Sequence, residues 1–221
     1  MTVVAAPRLP ADLVVEDLGE VFLDDAELVG LELSGAAIGV NAAAVSLEEC
    51  RVSAARLTSA RIDRIRMIDV EFTGCDLSGA LFVEPVLRRV RFTDCRLSAT
   101  AFELAKLHDV QFIECRMDTV GFSMAQMEAT HFERSDLAEA SFRNASLDGC
   151  SIRNSQLTRA DVGGLRSTDL SLHGSELSDL STPAGVAGAK IDDAQMIPLA
   201  IQLLAAAHIE VTDDDGPPPT A

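Results

Sequence analysis

Tryptophan and tyrosine are absent from these 221 residues, which leaves nine phenylalanines as the only aromatics. Basic residues are scarce: 18 Lys and Arg stand against 35 Asp and Glu, a formal net charge of −17. An acid excess of that size argues against direct nucleic-acid binding, which needs a basic surface. Met1 to Ala11 contains Pro7 and Pro10 but neither a basic start nor a long apolar run. Neither a secretory signal nor a membrane span is therefore expected. None of the five cysteines has a CxxC partner, and His108, His131, His173 and His208 stand singly, without ligand spacing. No G-x-S-x-G, P-loop or G-x-G-x-x-G occurs. These absences predict a protein without catalytic activity, cofactor or metal.

What the chain does contain is a ladder. From Phe72 to Leu147 a large apolar residue occupies every fifth position, with Phe alternating with Leu or Met. A period of five suits neither regular element. On an α-helix five residues turn through about 500°, so the large residues spiral round the axis. On a long strand, i and i+5 fall on opposite faces. The chain must instead turn a corner every five residues. Two positions before each large centre sits a small or β-branched residue, such as Ala80, Cys95, Thr100, Ala105 and Val110, and both positions point inward.

The number of sides follows from the small positions. Cys75, Cys95 and Cys115 recur every twenty residues, and so do Val70, Val90 and Val110. Return at twenty means four segments per coil, with like stacked on like about 4.8 Å apart. Burying one centre contributes about 1.5–3 kcal/mol gross, whereas ordering each residue costs about 1–2 kcal/mol of backbone entropy. A single repeat cannot stand alone, so stacking and capped ends are required. The column of thiols is packing material, buried and reduced, as expected of a cytoplasmic protein.

Four segments, CDLSG (75–79), SDLAE (135–139), ASFRN (140–144) and ASLDG (145–149), resemble the pentapeptide repeat family. The resemblance implies an all-β solenoid, a right-handed quadrilateral parallel β-helix, here of about seven to eight coils with a short C-terminal α-helix. The chain departs from the family at the position before the centre, where Arg is frequent (Arg51, Arg56, Arg61, Arg66, Arg91, Arg96, Arg116).

The expected organisation is an irregular lead and cap coil over 1–44, the β-helix over 45–182, a loop and helix over 183–211, and a disordered tail over 212–221. In the first part the beat reads Leu13, Leu18, Leu23, Leu28, Leu33, Ile38, Ala43, then slips by one before Leu47, which predicts a tightened corner near Asn41 to Val45. Gly163, Gly164 and Ser167 disturb the register later, and Leu172 and Leu177 return to it. In the helix, Asp192 and Asp193 suit the N-terminus, with the regular part starting at Pro198. Leu199, Ile201, Leu203 and Leu204 make it apolar nearly all round, so it should be buried. Two burial modes fit: it caps its own solenoid, or it pairs with a second copy as a homodimer.

Charge and surface give the functional leads. Residues 1–50 carry a net of −9, residues 51–166 a net of zero and residues 167–221 a net of −8. Acidic ends of this kind hinder end-to-end stacking of open edges. They also bear on an activity that the family resemblance implies, in which DNA-mimic members bind DNA gyrase, a type II topoisomerase, and give fluoroquinolone protection. The neutral middle, with Arg-rich edges at Arg51–Arg66 and Arg88–Arg96, fits mimicry poorly. One apolar strip, Leu81, Val83, Leu104 and Met124, is expected on the side centred on Phe82, Phe102 and Phe122, either as a partner face or as corner residues covering one another. The expected function is a rigid scaffold or adaptor for a protein partner of unknown identity; the alternative is an inhibitory DNA mimic acting on gyrase.

Overall fold

A computed structural model describes residues 3–211, so the tail expected to be disordered lies outside the described residues. The chain winds into a parallel β-solenoid of about eight turns with one helix at its C-terminal end. Each turn has four sides, named here by their centres: the Phe82, Leu87, Phe92 and Leu97 sides. Pairing is parallel, with like stacked on like: Phe82 pairs with Ile62 and Phe102, Leu87 with Met67 and Leu107, and Phe92 with Phe72 and Phe112. On the Leu97 side the pairing thins to single bridges such as Asp76 to Arg96 and Arg96 to Arg116.

The corners are made by the backbone. Every fifth residue from Ala44 to Asp179 sits at φ between +46° and +73°, and most of these are not glycine. Left-handed backbone costs an L-residue about 1–2 kcal/mol. Hydrogen bonds between turns offset that cost, each contributing about 0.5–1.5 kcal/mol. The corner N–H donates to the next turn, as Arg64 does to Val83 O (2.8 Å) and Glu84 to Glu103 O (2.8 Å). The N–H before each centre reaches back to the preceding turn, as Leu81 does to Ala60 O (2.8 Å).

Alternation of Phe with Leu or Met has a direct packing consequence. Phe72, Phe92, Phe112 and Phe132 stack in one column with centroids 4.7–4.9 Å apart. Phe82, Phe102, Phe122 and Phe142 stack from the opposite side at 5.2–5.5 Å. The two columns meet edge to face at 5.7–6.3 Å, which satisfies ring quadrupoles in both directions. The Leu and Met columns close the other two sides, and all of these centres are buried.

Buried hydroxyls fit because they stack too. Above Cys75, Cys95 and Cys115 the same column continues as Ser135, Ser155 and Ser175. The N–H of Cys115 donates to Ser135 Oγ (3.1 Å), that of Ser135 to Ser155 Oγ (3.0 Å) and that of Ser155 to Ser175 Oγ (3.2 Å). Each of these hydroxyls in turn donates to a backbone carbonyl.

The N-terminal end departs from the sequence expectation. Leu33 pairs with Val52, nineteen positions on, but Ala36 meets Arg56, twenty on. The residue is therefore dropped at Ser34–Ala36, not near Asn41 to Val45. Gly35 makes that tighter corner at φ +95°, where a Cβ would lie 2.5 Å from the Asp17 carboxylate. Ala37 and Ala42 consequently point inward, and Ile38 is exposed. A one-turn helix α1 (Leu18–Val21), capped by Asp17, replaces the expected beat at Leu23. It puts Leu18 and Phe22 over the open core, so Phe22, the one phenylalanine outside the ladder, plugs this end, and Leu23 faces out.

At the other end the register survives Gly163 and Gly164: Ser167 takes a centre, paired with Leu147. Helix α2 (Asp193–Ala206) starts five residues before Pro198, because Asp192 and Gln195 form a reciprocal capping box. It is also not buried all round. Its inner face carries Gln195, Leu199 and Gln202. Gln195 lies twenty positions after Ser175 and extends the serine column, its Nε2 donating to Leu172 O (2.7 Å) and Ser175 O (2.6 Å). Gln202 donates to Leu177 O (2.8 Å) and accepts from Leu180 N (2.9 Å). Two side-chain amides thus stand in for the backbone of a missing next turn.

Candidate interaction surfaces

Since the ladder takes the aromatic and thiol side chains inward, function falls to what the outer positions present. All five cysteines are free and buried, and burial pushes the Cys150 thiol up to about 11, far from a reactive thiolate. Among the described residues no group of three or more His, Cys, Asp or Glu is placed to hold a metal ion. No helix of the described residues is long and apolar enough to cross a membrane.

In-register stacking decides where charge is neutralised. A residue meets its equivalent twenty positions away, so opposite charges at that spacing pair across turns. Arg51 and Arg91 both reach Glu71 (3.9 and 3.6 Å), Arg96 reaches Asp76 (3.7 Å) and Arg134 reaches Glu114 (2.9 Å). The Arg-rich edges read from the sequence are thus mostly neutralised. Such exposed pairs stabilise the rod by about 0–1 kcal/mol each but leave its surface electrically quiet.

The Leu87 side is different. Its column before the centre runs Arg66, Val86, Lys106, Gln126, without a carboxylate. Arg88 follows the Leu87 centre, and Arg64 sits on the adjoining corner. Leu104 and Met124 continue that corner, 45% and 54% exposed, with Val86 beside them at 39%. Two adjoining grooves, of about 450 and 540 Å³, lie over this region and share Val86, Lys106 and Gln126.

The opposite edge of the same side is bordered by the N-terminal lead. Residues 3–11 lie along the corner column of Asp69, Arg89 and Asp109. The N–H of Ala5 donates to Asp109 Oδ1 and that of Arg8 to Asp69 Oδ1, both at 3.0 Å. Asp69 also receives a two-pronged contact from Arg89, Nε at 2.7 Å and Nη2 at 2.5 Å. The Arg89 hydrogen bonds hold the nearly buried Asp69 carboxyl below its usual range.

Five-residue sides, left-handed corners and a twenty-residue return are the geometry of a single repeat type. Residues 65–142 match the family model described as a pentapeptide repeat region, and residues 125–164 match that of pentapeptide repeats in eight copies. The chain is a pentapeptide repeat protein. Among solved structures it is similar to QnrB1, a plasmid-mediated fluoroquinolone resistance protein, at 20% identity over 82% of this chain and 99% of that one, with a TM-score of 0.47. It is similar to HetL, a pentapeptide repeat protein involved in heterocyst differentiation regulation in the cyanobacterium Nostoc, at 15% identity over 76% and 87%, TM-score 0.30. Rfr23 from the cyanobacterium Cyanothece matches at 15% identity over 72% and 88%, TM-score 0.26. No curated protein matches the chain in sequence. None of these likenesses says what this pentapeptide repeat protein binds.

The residues of the expected strip separate on this pentapeptide rod. Leu104 and Met124 stand on the corner between the Phe82 and Leu87 sides and remain exposed. Leu81 and Val83 lie half-buried on the flat of the Phe82 side. Val86 and Lys106 were not singled out by the sequence, and Arg64 and Arg88 were read only as parts of the Arg-rich edges, because sorting residues by side separates a corner from the side next to it. The helix residues divide as well. Leu199 is buried against the solenoid, Ile201 points out at 62% exposure, Leu203 is exposed on a flank and Leu204 is half-buried.

The docked lead gives a pH-dependent prediction. A carboxyl with a lowered folded pKa contributes stability that is present above its unfolded value, near 4, and is lost as pH falls through the folded value. Asp69→Asn should cost about 2 kcal/mol at neutral pH, as a charged hydrogen-bonded partner is removed from Arg89. Urea unfolding should show the gap between the two proteins closing as pH falls below about 4. A gap that stays constant down to acid pH would show that the carboxylate charge contributes nothing.

Proposed function

We propose that this pentapeptide repeat protein is a rigid, non-enzymatic protein-binding rod, whose partner lies on the corner of Leu104 and Met124 and the side next to it. The observation that carries this reading is the exposed apolar group of Val86, Leu104 and Met124, the only exposed large apolar side chains between residues 45 and 182. Leu81 and Val83 extend it onto the Phe82 side. Rigidity follows from the turn-to-turn hydrogen bonds, which leave no side free to bend independently. A photo-cross-linking amino acid in place of Leu104, in the cell of origin, should give a discrete protein adduct, and the same probe in place of Arg116 on the opposite side should not. Absence of any discrete adduct from position 104 overturns the reading.

The rod also pairs, in this reading, through the outer face of α2. Ile197, Ile201 and Leu204 follow one another at i, i+4 and i+7, a stripe on the face turned away from the solenoid. Ile197 and Ile201 are 64% and 62% exposed, and a second copy of the same stripe would cover them. The substitutions Ile197→Glu and Ile201→Glu leave Gln195, Leu199 and Gln202 in place. Sedimentation equilibrium should show a dimer for the native chain and a folded monomer for the double variant. A native chain that stays monomeric at all concentrations removes the pairing.

A DNA mimic that occupies gyrase, and so protects against fluoroquinolones, is the second reading. Pairing through α2 brings two acidic C-terminal parts together at the middle of a longer rod, which favours it. The unpaired cations of the Leu87 side weigh against it. Gyrase supercoiling that is unchanged by a large excess of protein removes the mimic, and inhibition displaces the adaptor reading.

A further inference from the structure

The Leu87 side points to the chemistry of its partner. On a protein with a net charge of −17, Arg64, Arg88 and Lys106 form no ion pair among the described residues. Arg66 adds a fourth cation, held only loosely to Glu48 at 3.7 Å. For Lys106 stacking gives the reason: the positions twenty away are Val86 and Gln126, where the columns of Arg51, Arg91, Arg96 and Arg134 have a carboxylate. The cations surround exposed apolar side chains, and the carboxylates lining the two grooves are Glu84 on the corner and Glu128 and Asp148 at the far end.

We propose that this side binds an acidic segment of a partner protein in which apolar side chains are interspersed among the carboxylates. The inference rests on the protein-binding reading above and names the partner's chemistry. Free guanidinium and ammonium groups meet the carboxylates, while Val86, Leu104 and Met124 receive the apolar side chains. From Arg64 to Met124 the site spans four turns, about 14 Å, the length of four or five extended residues. The net positive charge falls off along the rod, since Glu128 and Asp148 join Arg166 in lining the far end of the groove. The partner's acidic residues therefore lie over the turns of Arg66, Arg88 and Lys106. A nucleic acid fits less well, because it offers no apolar groups to the exposed side chains and is repelled by the acidic ends. Among the described residues Arg56 and Arg116 on the Leu97 side also form no ion pair, but their outward neighbours are polar, so that side serves as an internal control.

The test is fluorescence anisotropy with the full chain and a labelled synthetic peptide that alternates Glu and Asp with Leu. Comparison probes are the same peptide with Ser for Leu, and a single-stranded oligonucleotide of equal length. The acidic, Leu-bearing peptide should bind, more weakly as salt rises. Arg88→Glu combined with Lys106→Glu should lower its affinity by at least about tenfold, and so should Val86→Ser combined with Leu104→Ser. Arg116→Glu should leave it unchanged. All five positions are exposed, and urea unfolding of each variant confirms that the rod is intact. No binding of the Leu-bearing peptide, equal binding of the Ser version, indifference to the charge reversal, or tighter binding of the oligonucleotide each overturns the inference. The two failures are separable. A discrete adduct at position 104 whose cross-linked segment carries no acidic excess overturns the partner chemistry alone. No adduct at all overturns the protein-binding reading and this inference with it.

Discussion

Left-handed backbone at every fifth residue is the constraint on which the rest of this protein depends. Each such corner is unfavourable for an L-residue, and the chain accepts it from Ala44 to Asp179, mostly without glycine. The compensation comes from outside the turn that bears the cost, since the corner N–H bonds to the turn above and the N–H before each centre to the turn below. A turn in isolation has the strain and none of the bonds. Stability is therefore cooperative along the axis, and the two ends must imitate a neighbour they lack.

The ends do so by different means. At the C-terminal end Gln195 and Gln202 present amide groups in positions that a further turn would have filled with backbone and a serine hydroxyl. At the N-terminal end the plug is apolar, with Leu18 and Phe22 brought together one helical turn apart. In between, the same stacking that fills the core with aligned rings also writes the surface. Like positions align, so an opposite charge twenty positions away can quench a charge, as Glu71 does for Arg51 and Arg91. On the Leu87 side Lys106 keeps its charge because Val86 and Gln126 occupy the positions twenty away, and Arg88 because Ile68 and His108 do.

The amino-acid sequence by itself determined the solenoid. A Phe and Leu ladder without a miss, small residues two positions earlier and a twenty-residue return leave one arrangement that buries the large side chains together. That inference is secure because a period of five violates both regular elements, so only a cornered chain satisfies it. The family resemblance of CDLSG and its kin rests on the same positions.

What only the tertiary structure decided lies where the period breaks or where two sides meet. The dropped residue sits at Gly35, eight positions before the midpoint of the stretch that the apolar beat indicated, because Ala37 and Ala42 can serve as centres while Ile38 faces out. Alanine carries too weak a signal to fix a register from sequence. Helix α2 reads as apolar all round, yet two polar glutamines form its inner contact and its isoleucines face out, because the last turn needs hydrogen bonds as well as cover. Val86, Leu104 and Met124 fall on different sides of the repeat and converge only at a corner. Periodicity assigns each residue to a side; which sides touch, and which charges are left unpaired there, is settled only by the three-dimensional stacking of the turns.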